Sequence, residues 1–171
     1  MVILWLDSPF NCTKALFYDI LPLGGMRMTV TFCGHSDAPY SEELKAWLCE
    51  TIERLIAQGA DKFYLGGYGS FDSMAASAVW NLKKKYPHIC SVLVIPYLDK
   101  QVDSSRYDYT TYPPLESVPR RYAITHRNRW MVDNADAIVA YVRHGWGGAA
   151  QTLERAKKKG LLIINWQPNG E

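Results

Sequence analysis

The strongest constraint on the fold is a strand, glycine turn, helix and strand that follow one another near the C-terminus. Residues 137–142 (AIVAYV) form a continuous apolar run, the pattern of a strand buried on both faces. Glycines at 145–148 precede a helical segment that ends at 157–160 (KKKG), and 161–165 is a second apolar strand. Such a unit is right-handed and parallel by default. The sequence therefore predicts a parallel α/β sheet.

Earlier segments extend the same alternation. Buried strands are predicted at 29–33, 62–65 and 91–95, and an amphipathic helix follows each of the first two. Residues 97–118 interrupt the rhythm, and a loop of that length is more often a functional lid or a disordered segment than a connector. A helix from Pro119 to about 134 leads into the final unit. Together these elements predict a single-domain, Rossmann-like, doubly wound, mostly parallel sheet of about five strands flanked by helices.

Length and composition limit the remaining choices. The 171 residues fit one domain at 26–171, preceded by an N-terminal extension at 1–25 of uncertain role. Asp7 interrupts the apolar start of that extension, so it is predicted to be neither a signal peptide nor a membrane span. With 21% charged residues and a net charge of +2, the chain is not expected to bind nucleic acid directly.

The cysteines and histidines show no metal-binding pattern. The four cysteines lack CxxC spacing, which indicates reduced thiols in a cytoplasmic protein. No His, Cys and Asp cluster has metal-ligand spacing, so neither a metal nor a resident cofactor is expected.

Candidate ligand-binding residues follow the strands, at the edge where open α/β sheets bind ligands. The three turns contribute Gly34, His35 and Ser36; Gly66, Gly67, Gly69 and Asp72; and Gly145, Gly147 and Gly148. Glycines at a helix N-terminus either expose amides that bind phosphate or only permit close packing. Two further alternatives remain open: Asp72 either faces a ribose or caps its own helix, and Tyr68 and Trp146 either stack on a base or pack at the rim.

Arg127 is the most informative charged residue. It lies on the apolar stripe of the predicted helix before residue 134, where an unpaired buried charge would be too costly. Its partner is therefore either an anionic ligand or a protein carboxylate. The nearby candidates for that carboxylate are Asp133, Asp136 and Glu154.

Several motifs resemble the SLOG superfamily in the family's order. These are RNRWMVDNADAIVAYV, GWGGAAQTLERAKKKGLLIIN and the earlier GGYGSFDSMAA, and the resemblance spans about 28–166. They look closest to the YpsA-like branch, which is related to the LOG-type phosphoribohydrolases. In this chain no proline precedes Gly147, and four extra residues separate the strand from the glycine pair.

The resemblance implies a nucleotide-derived small molecule as the ligand. By position, Arg127 and Thr152 would bind it, and in a LOG-type enzyme Arg127 and Glu154 would be catalytic in cleaving an N-glycosidic bond. SLOG proteins often form dimers, so a homodimer is one expected arrangement for this bacterial or phage-type chain. Three functions result: a nucleotide-binding sensor or sequestering protein, a nucleoside 5′-monophosphate phosphoribohydrolase, or an interaction domain that has lost its ligand.

Overall fold

Six parallel strands form one sheet with helices on both faces. The computed structural model describes residues 27–167, so the predicted extension at 1–25 lies outside the described residues. The strands are β1 Met28–Gly34, β2 Ala60–Leu65, β3 Cys90–Val94, β4 Tyr109–Thr111, β5 Ala137–Tyr141 and β6 Leu162–Asn165. The helices are α1 Glu42–Ala57, α2 Ser70–Lys83, α3 Ala123–Asp133 and α4 Gly147–Lys159, and a 3₁₀ turn at Arg120–Tyr122 precedes α3.

The strand order reverses in the middle of the sheet. Strands run in the order β4-β3-β2-β1-β5-β6, and every neighbouring pair is parallel. The chain moves outwards from β1 through β4 and then crosses back to place β5 on the other side of β1. The loops after β1 and β5 therefore diverge, which opens a crevice at their carboxyl ends. The predicted Rossmann-like, doubly wound fold is confirmed.

A sixth strand lies inside the segment that the sequence pattern left as a lid or disordered loop. Asp108 fixes the start of β4, because its Oδ2 accepts hydrogen bonds from the Ser91 amide at 2.8 Å and the Ser91 hydroxyl at 3.0 Å. Lys83 at the end of α2 forms an ion pair with the same carboxylate. These contacts hold a short strand of three residues against the edge of β3. No local periodicity in the sequence predicts this strand.

The core forms two layers separated by the sheet. On one face Leu48, Phe63 and Val79 belong to the apolar cluster under α1 and α2. On the other face Val132 and Leu153 join the cluster under α3 and α4. Alternate residues of β5 point into each cluster, and all five are buried. This two-sided burial is the reason that β5 reads as a continuous apolar run.

The helix ends differ in how the chain satisfies them. Ser41 caps α1 by accepting a hydrogen bond from the Leu44 amide at 3.1 Å, and Gly160 ends α4 in the left-handed conformation. The N-termini of α2 and α4 have no side-chain cap. Between residues 27 and 167, no helix is long and apolar enough to cross a membrane.

Candidate functional site

A cleft of about 470 Å³ opens where β1 and β5 diverge, and we call it the switch-point cleft. The His35 amide donates a hydrogen bond to the Tyr141 carbonyl at 3.1 Å, which joins the two loops at its base. Nine of the residues predicted to bind a ligand line it: Gly34, His35, Ser36, Gly66, Asp72, Arg127, Gly147, Gly148 and Thr152. Gly67, Gly69, Gly145 and Glu154 are not part of this lining.

The loop after β1 supplies one wall of the cleft. Gly34 permits close packing, because a Cβ at this position would lie 2.5 Å from ring atoms of Phe71 on α2. His35 is nearly buried, and its Nε2 accepts a hydrogen bond from the Arg143 amide at 3.2 Å. Burial and the neighbouring His144 lower the pKa of His35, with Asp37 acting in the opposite direction. The ring is therefore held in its neutral form with Nε2 unprotonated.

Three aromatic rings are stacked beside this wall. The rings of His35 and His144 lie 3.6 Å apart between centroids, and those of His144 and Trp146 lie 3.8 Å apart. Trp146 is 72% exposed at the outer end of the stack. All three residues line the cleft, so this face of the site is flat and aromatic.

The turn between β2 and α2, which we call the α2 turn (residues 66–72), is closed by its own side chains. The Asp72 Oδ2 accepts a hydrogen bond from the Tyr68 amide at 3.0 Å, and the Gly66 and Gly67 amides also donate to this carboxylate. Asp72 therefore caps the turn before its helix, and Gly69 occupies the N-cap position without a side-chain bond. Burial raises the pKa of Asp72, although the Arg127 charge and these amides oppose the rise.

Ser70 fastens the same turn to the loop after β1. Its hydroxyl lies 2.9 Å from the Ser36 carbonyl and 2.6 Å from the Ala38 carbonyl, and its amide donates to the Ser36 carbonyl at 3.2 Å. Gly69, at φ 85°, allows the backbone of Ser36 to approach closely. The α2 turn is thus rigid, and its amides face groups of the protein.

Arg127 is buried in the floor of the cleft and forms no ion pair with any residue between 27 and 167. The residue is 2% exposed, its Nη1 donates to the Val94 carbonyl at 3.2 Å, and its Nε has no hydrogen-bond partner. The Tyr68 ring lies over the guanidinium at 5.3 Å. Burial lowers the pKa of Arg127 and the Asp72 charge opposes this, yet an arginine remains protonated in proteins.

None of the three carboxylates predicted to pair with Arg127 does so. Asp133 pairs with Arg155, Asp136 accepts a hydrogen bond from the Thr29 amide, and Glu154 pairs with Lys157. Those predictions are wrong because α3 turns Arg127 inwards, whereas these carboxylates lie at the surface or at the start of β1. The carboxylate that acts on Arg127 is Asp72, which is too distant for an ion pair within 4.0 Å.

The turn between β5 and α4, which we call the α4 turn (residues 145–148), is open. Its helix has no side-chain cap and no acidic residue in its first turn. A Cβ added at Gly145, Gly147 or Gly148 would meet no atom within 4 Å. Because the first amides of a helix have no partner within the helix, this N-terminus offers free donors and positive potential to the cleft.

Thr152 and Glu154 occupy different sides of α4. The Thr152 hydroxyl donates to the Gly148 carbonyl at 2.7 Å, so it is engaged within its helix. Glu154 lines a neighbouring depression between α3 and α4, the α3/α4 groove, which shares Gly148 and Thr152 with the cleft. Glu154 pairs there with Lys157 at 2.6 Å. The structure therefore brings Arg127 and Thr152 together at the switch-point cleft and leaves Glu154 outside its lining.

The cleft contains no combination suited to metal or thiol chemistry. Within residues 27–167, no group of three or more His, Cys, Asp or Glu side chains could hold a metal ion. Cys33 lies at the cleft, but burial raises the pKa of its thiol to about 12. A thiol with that pKa is protonated and unreactive near neutral pH.

Sequence comparison finds bacterial relatives and no family. No protein-family model matches the chain. The uncharacterized SPbeta prophage-derived protein YoqJ of Bacillus subtilis is 27% identical over 154 residues, covering 75% of this chain and 89% of that protein. A UPF0398 protein of Lysinibacillus sphaericus is 21% identical over 141 residues, covering 71% of this chain and 79% of the relative.

Solved structures share the fold at low sequence identity. TM1055, a structural genomics target, matches with a TM-score of 0.57 at 17% identity, covering 84% of this chain and 76% of the other. DNA processing protein A from Helicobacter pylori gives 0.56 at 16%, with coverage of 84% and 68%. The molybdenum cofactor carrier protein from Chlamydomonas reinhardtii gives 0.55 at 16%, with coverage of 81% and 76%.

Asn128 and His144 are among the cleft-lining residues that sequence reasoning did not select. Asn128 lines both the cleft and the α3/α4 groove, and its place next to Arg127 is the only local signal for it. His144 also lines the cleft, where its ring stacks against that of His35. The inserted residues 143–146 carry the stack, so their length was the available sign that this turn departs from a plain glycine loop.

Proposed function

We propose that the switch-point cleft binds a nucleotide or nucleotide-derived ligand, with its phosphate at the N-terminus of α4. The observation that carries the proposal is the pairing of two unsatisfied positive groups in one cleft. These are the uncapped α4 turn and the buried Arg127, which has no ion pair within 4.0 Å among the residues that the structure describes. An anion bound at the α4 turn would satisfy its amides and would gain from the positive charge of Arg127 in the same cleft.

The two glycine turns have different suitability for phosphate. In the α2 turn, the amides of Gly66, Gly67 and Tyr68 already donate to Asp72, whose carboxylate would repel an anion. In the α4 turn, no side chain competes and the space around the glycines is open. The flat aromatic surface of Trp146 beside this turn suits stacking on a base.

The comparisons support this proposal through likeness alone. The similarity to the UPF0398 protein favours a place in the YpsA-like branch of SLOG. A molybdenum cofactor carrier protein has the same fold, which shows that the fold is found in a protein named for carrying a small molecule. We therefore favour a binding protein, a sensor or a sequestering protein, over an enzyme.

The phosphoribohydrolase alternative depends on Glu154. A general acid or base must lie within about 3 Å of the group that it protonates or deprotonates. Glu154 is exposed in the α3/α4 groove and paired with Lys157. This position argues against Glu154 as the general acid or base for a ligand bound at the switch-point cleft. Free base released by the parent and lost in Glu154→Gln would restore this alternative.

Other expected properties remain predictions. DNA processing protein A from Helicobacter pylori binds single-stranded DNA, so an oligonucleotide is a necessary comparison ligand. We expect no binding of it, because the net charge is only +2. A homodimer and a cytoplasmic location are likewise predictions, to be checked by light scattering and by cell fractionation.

The first test is calorimetric titration with the four ribonucleoside 5′-monophosphates, inorganic phosphate and a single-stranded oligonucleotide. We expect at least one nucleotide to bind and Arg127→Ala to weaken its affinity about tenfold or more, since a buried charge facing the ligand is lost. The matched control is Arg129→Ala, which removes an exposed arginine from the same helix outside the cleft lining. It should bind like the parent.

A folding check accompanies this test, because Arg127 is buried. Arg127→Lys and Arg127→Ala are compared by thermal unfolding, and only folded protein is titrated. The proposal is overturned if no nucleotide binds, or if folded Arg127→Ala and Arg129→Ala bind nucleotide equally well.

A further inference from the structure

The switch-point cleft contains a second pair of polar groups, which are side chains and not the backbone amides of the α4 turn. Within residues 27–167, two buried side-chain atoms have no hydrogen-bond partner, and they are the Asp72 Oδ1 and the Arg127 Nε. Both residues line the switch-point cleft. The Asp72 Oδ1 accepts hydrogen bonds and lacks a donor, whereas the Arg127 Nε donates and lacks an acceptor.

Gly66 lies between these two residues. A Cβ at Gly66 would be 2.0 Å from the Arg127 Nη1 and 2.8 Å from the Asp72 Oδ2. The carboxylate and guanidinium therefore face the same point of backbone, yet no nitrogen and oxygen of the pair come within 4.0 Å. The two charged groups therefore do not satisfy each other, and the unsatisfied Oδ1 and Nε both belong to residues that line the cleft.

We propose that Asp72 and Arg127 form a hydroxyl-binding subsite, which recognises a sugar hydroxyl of the ligand whose phosphate lies at the α4 turn. This inference rests on the proposed function. A hydroxyl donates to one atom and accepts from another, which is the combination that the two unsatisfied atoms require. The ligand class is accordingly a ribonucleotide or another phosphate ester that carries a free sugar hydroxyl.

Charge argues against a second phosphate at this subsite. The Asp72 carboxylate opposes the Arg127 charge, and the neighbouring amides of Gly66, Gly67 and Tyr68 donate to Asp72. A hydroxyl is neutral and suits Asp72 in either protonation state, because it can accept from a protonated carboxyl as well as donate to an ionised one. Phosphate would meet the carboxylate directly.

The Tyr68 ring lies beside the proposed subsite. Both unsatisfied atoms are buried, and the Tyr68 ring lies over the guanidinium at 5.3 Å while remaining 41% exposed. Rotation of this exposed ring away from Arg127 would uncover the pair without unfolding any helix. Its phenol face would then remain at the rim, beside the sugar.

The test compares each ribonucleoside 5′-monophosphate with its 2′,3′-dideoxy counterpart by calorimetry. The parent should bind the ribonucleotide about tenfold or more tightly, because loss of the hydroxyl leaves buried polar groups unpaired. Asp72→Asn, which keeps the shape of the side chain, should lower that preference to about threefold or less. The matched control Asp103→Asn changes an exposed carboxylate outside the cleft lining and should keep the full preference.

The outcomes separate the two proposals. Equal binding of ribonucleotide and dideoxynucleotide by the parent overturns the hydroxyl-binding subsite and leaves the phosphate site standing. An unchanged preference in folded Asp72→Asn overturns the role of Asp72. Failure of every nucleotide to bind overturns the proposed function and this inference with it. If Asp72→Asn does not fold, the comparison made with the parent protein still decides the matter.

Discussion

The α2 turn and the α4 turn are both glycine-rich, both follow buried parallel strands and both lie at the same edge of the sheet. They differ in whether groups of the protein already bond to the backbone amides of the turn. Asp72 accepts hydrogen bonds from three amides of the α2 turn, and Ser70 fastens it to the loop after β1. The α4 turn has no cap, no acidic residue and open space around its glycines.

The difference shows that glycine content alone does not identify an anion site. What matters is whether the exposed amides already have partners, since only unsatisfied donors gain from a bound anion. In this molecule the glycines of the α2 turn permit close packing of protein groups, whereas those of the α4 turn leave room for a ligand. The comparison therefore distinguishes a glycine turn that serves close packing from one that can bind a ligand.

The largest expected effect is on stability, from a methyl group added to the packed turn. In Gly66→Ala the new Cβ would overlap the Arg127 guanidinium and crowd the Asp72 carboxylate. We expect the free energy of unfolding to fall by about 1–3 kcal/mol, as for overpacked interiors. Urea denaturation measures it.

The matched control is the same substitution in the open turn. Gly145→Ala adds a methyl group where no atom lies within 4 Å, and Gly145 does not have a positive φ. Its stability should stay within about 0.5 kcal/mol of the parent. Equal losses in both variants would contradict the distinction between a packed and an open turn.

A smaller effect is expected from pH, through the wall beside the α4 turn. The pKa of His35 is lowered in the folded protein, so the neutral ring is favoured there, and an unfolded chain binds a proton more readily. The stabilisation is present above the ordinary value of 6.5 and is lost as the pH falls through 6.5 towards the lower folded value. The parent should lose more stability than His35→Gln between about pH 8 and pH 5.

Comparison of variants removes the contribution of other titrating groups. All other side chains are common to the parent and His35→Gln, so the difference between the urea midpoints of the two proteins isolates the contribution of His35. The control His88→Gln changes an exposed histidine far from the cleft lining and should follow the parent. A His35→Gln curve parallel to the parent's would show that His35 is not held neutral.

The sequence predicted the parts of the fold that depend on local pattern. The buried strands and the amphipathic helices show clear periods, and their order specifies a parallel sheet. The sequence analysis missed strand β4, because its three residues do not alternate between apolar and polar. The strand depends on the hydrogen bond from Ser91 of β3 to Asp108. Long-range contacts of this kind leave no mark in a local window.

The site was predicted only where topology determines position. Turns at the carboxyl ends of strands must share one edge, so Gly34, Gly66 and Gly148 could be expected together. The acidic group that acts on Arg127 could not be predicted in this way. Asp72 is distant from Arg127 in sequence, and only the folded sheet brings the two residues near each other. Nor could the state of each turn, which depends on side-chain bonds formed in the folded chain.

The most direct test of the account places a negative charge on the open turn. Gly148 has room for a side chain and no positive φ, so Gly148→Asp should fold, with stability unchanged or raised by about 0.3–1 kcal/mol through the helix dipole. Calorimetry with the nucleotide bound by the parent should show affinity reduced about tenfold or more, since the carboxylate repels the phosphate. Gly148→Asn and Ser73→Asp, the second adding the same charge at the start of α2, should bind like the parent. Nucleotide binding by Gly148→Asp that is as tight as the parent's would contradict a phosphate site at α4.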